Sequence, residues 1–334
     1  MNATLVIEWV VKSLVIILVL TGGFAYTTLY ERKVLARMQV RRGPNRAGPL
    51  GILQPVADGI KLIFKEELTP HNADKFIFTV APVITVVPAL VITAVVPWGR
   101  EISLFGRTFT LYLSNVNVAV LYILSVTSIS VYGITLAGWS SNNKYATLGG
   151  VRATAQMISY ELALGCAYIG PILIVGSMSL VDIVEAQAGV WFIFLQPVAF
   201  LVYFLASLAE VNRAPFDMPE AEQELTAGYH TEYSGMKFAL FFMAEYIKMI
   251  AVAMIGVSLF LGGYLGPGID RFPILGPVYL FIKVAVWLFV IIWVRATLPR
   301  IRYDRLMALG WKVMFPLALL SVMITALVLL FVES

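Results

Sequence analysis

The chain has 334 residues, 60% of them hydrophobic and only 13% charged, against roughly 25% charged in ordinary soluble domains; this is the composition of an integral membrane protein. A net charge of +4 does not point to nucleic acid, because the basic residues cluster beside apolar runs, where the positive-inside rule accounts for them. A single cysteine, Cys166, within an apolar run argues against a disulfide or a thiolate metal site, and two histidines, His71 and His230, outside those runs argue against a haem held in the bundle.

No GxxxxGK(S/T) phosphate loop is present, which argues against an ATP-driven pump. The chain is therefore expected to bind no metal and no redox cofactor of its own. At the N-terminus Glu8 precedes the first apolar run while Arg32, Lys33 and Arg37 follow it. Signal peptides carry the opposite order, so the first span is read as retained, with its N-terminus outside.

Eight apolar runs are long enough to cross a bilayer, at about 9–30, 76–98, 116–139, 155–176, 190–212, 237–261, 276–297 and 311–332. The expected fold class is an all-α integral membrane protein, one membrane domain over 1–334, with eight transmembrane helices and an interfacial amphipathic helix. An even number of spans puts both termini on one side. The odd-numbered loops and their flanks hold eighteen Lys and Arg, the even loops only Arg100, Arg107 and Arg271. The large loops therefore face the cytoplasm and both termini the outer side. No internal repeat is evident, which weakens a transporter built from inverted halves.

The first odd loop, 31–75, is the longest polar stretch. Arg37, Arg41, Arg42 and Arg46 surround Gly43-Pro44 and Gly48-Pro49, which read as a basic, turn-rich loop at a helix end. From Ile52 the pattern becomes helical: Leu53, Val56, Ala57, Ile60, Ile63 and Phe64 share one face, Asp58, Lys61 and Lys65 the other. At about fourteen residues this helix is too short to span and is expected to lie along the interface. An ordinary membrane anchor would show the same pattern.

The third odd loop, 211–236, is acidic instead. Glu220, Glu222 and Glu224 alternate, with Asp217 and Glu232 nearby and only Arg213 and His230 as cations. Crowded carboxylates raise one another's pKa, although a solvated acidic loop held by the basic residues of 31–46 would read alike. Within the spans, Glu161 and Glu245 each stand six to eight residues from the inside end, about 9–12 Å deep. Glu210 lies at the inside end of the fifth span, and Lys248, one turn from Glu245, is placed to pair with it. Ionisable groups at such depth most often mark proton or ion paths; a structural Glu245–Lys248 pair is the plainer reading. Glu8 with Lys12, and Lys283, look like snorkelling edge residues.

Four runs carry a resemblance: ERKVLARMQVRRGPNRAGPLGILQPVADGIKLIFKEE from 31, SYEL at 159–162, AEVNRAPFDMPEAEQELTAGYHTEY from 209 and RATLPRIRYDRLMALGWK from 295. The chain resembles the H subunit (subunit 1 in mitochondria) of the proton-pumping NADH:quinone oxidoreductase, respiratory complex I, over nearly its whole length. The resemblance implies a subunit at the joint of the membrane and hydrophilic arms, forming the quinone access chamber and starting a chain of carboxylates that couples quinone reduction to proton translocation. Glu31, Arg32, Asp58 and Lys61 would belong to the chamber wall and mouth, Arg295 and Arg300 would be basic partners near the acidic funnel, and His230 is grouped with them as quinone-binding. Glu210, Glu220, Glu222 and Glu224 would form the funnel, continued into the membrane by Glu161 and Glu245. It also implies the other membrane and hydrophilic subunits as partners, FMN and iron–sulfur clusters carried by those subunits, quinone as substrate, the lipid bilayer as surroundings, and the bacterial inner membrane as location. One departure is Ser128, where several relatives have a further glutamate; a hydroxyl can relay a proton but cannot store a charge. The related membrane subunit of an energy-converting hydrogenase or ferredoxin-driven complex, and a stand-alone secondary transporter, are the alternatives.

Overall fold

The first helix, α1 (Ala3–Met38), has 36 residues. That is about 54 Å at 1.5 Å per residue, well beyond a hydrocarbon core of about 30 Å. No Gly or Pro interrupts the chain between Ala25 and Arg42, so the helix overruns its apolar stretch by more than two turns. It closes where Val40 takes φ 54° and Arg41 N–H reaches the Ala36 carbonyl at 2.8 Å, the doubly bonded ending that usually has glycine at the left-handed position. Glu31 and Arg32 are thus helical, a correction to the loop expected from residue 31. The computed structural model describes residues 3–104, 107–218 and 227–333.

After a turn-rich segment, α2 (Gln54–Ile63) forms with Pro55 in its first turn, where the missing N–H costs nothing. It is shorter than the sequence suggested, and its apolar residues Val56, Ile60 and Ile63 are all exposed. Helix α3 (Lys75–Val91) starts at Asp74, whose Oδ1 accepts from Phe76 and Ile77 N–H at 3.1 and 3.2 Å. It packs along α4 (Ala119–Ser140). Gly133 permits that approach, because a Cβ there would stand 2.2 Å from Thr85 Oγ1, the use of small residues expected between membrane helices.

Helix α5 (Lys144–Val175) begins eleven residues before the fourth apolar run and is capped by Asn143. The short α6 (Leu180–Ala186) and the single turn α7 (Phe192–Leu195) lead into α8 (Pro197–Glu210). The fifth apolar run is broken at Gln196, which precedes Pro197 and has φ −133° and ψ 59°, in line with the bias of such residues away from the helical region. Then follow α9 (Gly235–Phe260), α10 (Leu275–Thr297), α11 (Tyr303–Leu309) and α12 (Phe315–Glu333), the last two joined by a π turn at Gly310–Met314.

Among the described residues seven helices are long and apolar enough to cross a membrane, and α8 is a shorter apolar helix. These eight correspond one for one to the eight apolar runs. A two-stranded hairpin, β1 (Ile102–Leu104) against β2 (Arg107–Phe109), is a small addition to the all-α expectation, at the α3–α4 connection.

Helix α9 is the centre of the molecule: every residue from Tyr246 to Phe260 is buried, as befits a helix that is apolar all round. It packs against α1, α3 and α10, whereas α1 and α12 leave many Leu and Val side chains exposed. Its far end is held by Lys283, which does not snorkel. The ammonium donates to the carbonyls of Leu261, Gly263 and Leu265 at 2.7, 2.9 and 2.8 Å, placing a cation where the helix dipole is negative.

Candidate functional site

The overrun of α1 has a direct consequence. Glu31, only 4% exposed, is carried in against α9, the C-terminal end of α10 and the turn after α8 rather than out to solvent. There it accepts from Tyr246 Oη at 2.6 Å, is bonded by Arg295 of α10, and lies 3.8 Å from Arg213. A carboxylate this deep persists only when paired and hydrogen-bonded.

Arg213 comes from the turn after α8. Asn212 takes φ 55° and reverses the chain, and the amide of Gln156 on α5 holds the turn from behind, donating to Ala209 and Phe216 carbonyls at 2.7 Å each. The guanidinium so placed contacts Glu245 at 2.7 Å through Nε and stacks 4.5 Å above the Tyr246 ring. One buried cation therefore serves Glu31 of α1 and Glu245 of α9 together.

The Glu245–Lys248 pair expected from helix spacing is corrected here. Lys248 points instead to Glu210, at 3.7 Å, while Glu245 takes Arg213. Three residues apart, the two side chains diverge by about 60° around the helix, enough to aim one at the turn and the other at the end of α8. Glu210 is 4% exposed, and Lys248 is the cation that offsets its burial. A cavity of about 20 Å³ joins Glu210, Glu245 and Lys248, with Thr85, Asn212 and Tyr229 on its walls; that is room for about one water molecule.

Glu161 on α5 lies within electrostatic reach of both Glu210 and Lys248, and it accepts a hydrogen bond from Ser128 of α4. The Ser128 hydroxyl thus contacts the carboxylate on the neighbouring helix.

On the other side of Glu31, Arg32 bonds Asp58 of α2 at 2.6 Å, and Gln54 supports the same carboxylate at 3.2 Å. This pair pins the amphipathic helix to α1 with its apolar face outward. Lys61 is exposed on α2. An apolar groove of about 370 Å³ runs between α1, α9 and α10, with Tyr26, Thr27 and Tyr30 among its lining.

Arg300 contacts Met218 Sδ at 3.6 Å, and Ile301 N–H donates to the Pro215 carbonyl, so the segment after α10 braces the Arg213 turn. His230 lies edge-on to Tyr229 and Phe238. Glu232 of the acidic loop bonds Asn143 Nδ2 at 2.6 Å, a structural tie at the start of α5. Glu220, Glu222 and Glu224 lie outside the described residues.

Arg213, Tyr246 and Gln156 were not singled out as site residues from the sequence. Arg213 had a readable signal: it is the only arginine of an acidic loop and stands three residues after an intramembrane glutamate. Tyr246 and Gln156 had none, being an aromatic and an amide within apolar helices.

The NADH dehydrogenase family profile matches residues 11–326. The chain is 51% identical over 302 residues to the NADH-quinone oxidoreductase H subunit of Protochlamydia amoebophila, covering 90% of this chain and 91% of that one. It is 50% identical over 320 residues to the second of the H subunits of Geobacter sulfurreducens (96% and 95% covered), and 51% identical over 324 residues to the H subunit of Thermomicrobium roseum (94% of each). Full-length identity at this level, together with the eight apolar helices, leaves no competing assignment: the chain belongs to the NADH dehydrogenase family, among the H subunits of NADH-quinone oxidoreductase.

Proposed function

We propose that this chain works as the membrane subunit of a proton-translocating NADH:quinone oxidoreductase that admits quinone and passes the consequence of its reduction sideways into the membrane. The observation that carries this reading is the file of buried ionic contacts. It runs from Arg295 and Glu31 through Arg213 to Glu245, continues across the small cavity to Lys248 and Glu210, and ends at Glu161 with Ser128.

Reduction of a quinone to the quinol takes two electrons, which the hydrophilic partner subunits would supply, and two protons; protons drawn from groups of this file change the charge balance beside Glu31. Arg213, sharing two carboxylates, responds by shifting its attraction between them, and Glu245 gains or loses hold on a proton accordingly. Glu210 and Glu161 extend the response because like charges in a low-dielectric interior interact over several ångströms. The crowded Glu220, Glu222 and Glu224 would deliver protons to this file.

The quinone tail would enter along the exposed apolar face of α2 and the groove beside α1, with Arg32, Asp58 and Lys61 at the mouth. Arg295, Arg300 and His230 would be polar or cationic groups toward the headgroup. A single cysteine and the lack of a nucleotide-binding glycine loop in the sequence support placing FMN and the iron–sulfur clusters in hydrophilic partner subunits, with further membrane subunits alongside. The eighteen-to-three distribution of Lys and Arg supports a multi-pass chain in the bacterial inner membrane with both termini on the outer side.

Arg32→Ala tests the portal. It is expected to raise the quinone KM several-fold in the assembled complex while leaving oxidation of NADH by a soluble acceptor intact. Equal loss of both activities would mean failed assembly and would refute a portal role.

A further inference from the structure

The turn that presents Arg213 is held by a residue outside the ionic file. Gln156 is fully buried in the middle of α5. Its Nε2 lies 2.7 Å from the Ala209 carbonyl, 2.7 Å from the Phe216 carbonyl and 3.2 Å from Asn212 Oδ1. Two backbone carbonyls at that distance can be met only by the amide nitrogen, so the orientation of the side chain is fixed by its partners. The three acceptors bracket Arg213 on both sides. Gln156 Oε1 is itself buried with no hydrogen-bond partner among the described residues. A buried acceptor left unmade is a cost, so any favourable contribution of this side chain comes from its donors.

Besides Gln156, α5 reaches the turn by weaker contacts, Asn212 Nδ2 at 3.8 Å from Met157 Sδ and the Tyr160 ring at 5.6 Å from that of Phe216. Arg213 N–H reaches Leu208 O at 3.2 Å and Phe216 N–H reaches Arg213 O at 2.9 Å, but both are internal to residues 208–216. Gln156 ties that unit to the long helix that also carries Glu161. Ile301 N–H to Pro215 O is a second tie, from the opposite side.

We infer that Gln156 is a positioning residue that sets where the Arg213 guanidinium stands between Glu31 and Glu245, and so sets how strongly the quinone side of the molecule is coupled to the relay carboxylates. This rests on the role proposed above for Glu245. A guanidinium meeting one carboxylate at 2.7 Å and another at 3.8 Å changes its division between them with a shift of a few tenths of an ångström. The amide that stops that shift therefore sets the division.

The test uses the assembled complex in membranes. Gln156→Leu keeps approximate volume and removes the donors. It is expected to lower quinone-linked kcat by about tenfold to a hundredfold, the scale of effect from misplacing a group by about 1 Å, with the quinone KM changed less than about twofold because the α2 mouth is untouched. Combined with Arg213→Lys it should add nothing to the loss that Arg213→Lys causes alone. Gln156→Asn, with its amide one methylene too short for all three acceptors, should fall between wild type and Gln156→Leu; if Gln156→Leu does not assemble, the same cycle is run with Asn.

Normal kcat at normal complex content would overturn the inference. So would additive losses in the double variant, or reduced complex with normal turnover per complex, which is the signature of a purely structural amide. The structure of the Gln156→Leu complex reads the Arg213–Glu245 distance directly: a guanidinium still in place overturns the inference whatever the turnover. Normal turnover in Glu245→Gln, by contrast, would sink the relay role and leave the positioning result standing.

Discussion

Glu245→Gln is expected to leave normal amounts of assembled complex and to depress quinone-linked turnover and proton pumping together, on the order of a hundredfold, the range seen when a proton-transfer group is removed. Gln has the shape of Glu, and its Oε1 can take the place of Glu245 Oε1, 2.7 Å from Arg213 Nε. Arg213 also keeps Glu31 at 3.8 Å, so no buried charge is abandoned and assembly is preserved. What disappears is the capacity to take up and release a proton. Glu245→Asp keeps that capacity at the cost of reach and should retain part of both activities. The measurement is quinone-dependent NADH oxidation and acidification in membrane vesicles, normalised to complex content. Normal turnover at normal content would end the relay reading.

Arg213→Leu is expected to fail more severely and in a different way. Arg213 is 4% exposed, and its removal strips a cation from two carboxylates in a region with little water. Breaking a buried pair from one side costs about 3–5 kcal/mol, a large fraction of the stability of any domain. Complex content should therefore fall to a small residue of the wild-type level. Glu31 retains Arg295 and Tyr246, so the damage centres on Glu245 and the turn. Arg213→Lys restores a charge without the planar fork, and one ammonium cannot meet both carboxylates in the same geometry. It should assemble and turn over slowly. Quantifying intact complex in detergent extracts, beside turnover per complex, separates the two variants; Arg213→Leu at normal content and normal turnover would show that the guanidinium is dispensable.

The two variants thus separate stability from proton handling at a single contact. Glu245 and Arg213 touch, yet one is expected to change rate at constant amount and the other amount before rate. That difference follows from which partner is left with an uncompensated charge.

What the sequence determined is local or compositional. A membrane class follows from apolar content, the spans follow from run length, and the amphipathic α2 follows from its 3.6-residue period. Three long runs and the short SYEL carried the family. The positions of Glu161, Glu210 and Glu245 along their helices were legible because position within a helix is a count of residues. Only the tertiary structure decided which charges meet. Glu31 and Arg295 are 264 positions apart, and their contact depends on α1 running on past its apolar stretch until Val40 turns the chain. Lys248 faces Glu210 rather than Glu245, because rotation about α9, set by all-round packing, aims the two side chains apart. Arg213 reaches two carboxylates because Gln156, a residue with no charge and no periodic signal, holds its turn. Pairing in a helical bundle is a property of the angles and levels at which helices pack, and those are set by contacts that no single stretch of chain contains.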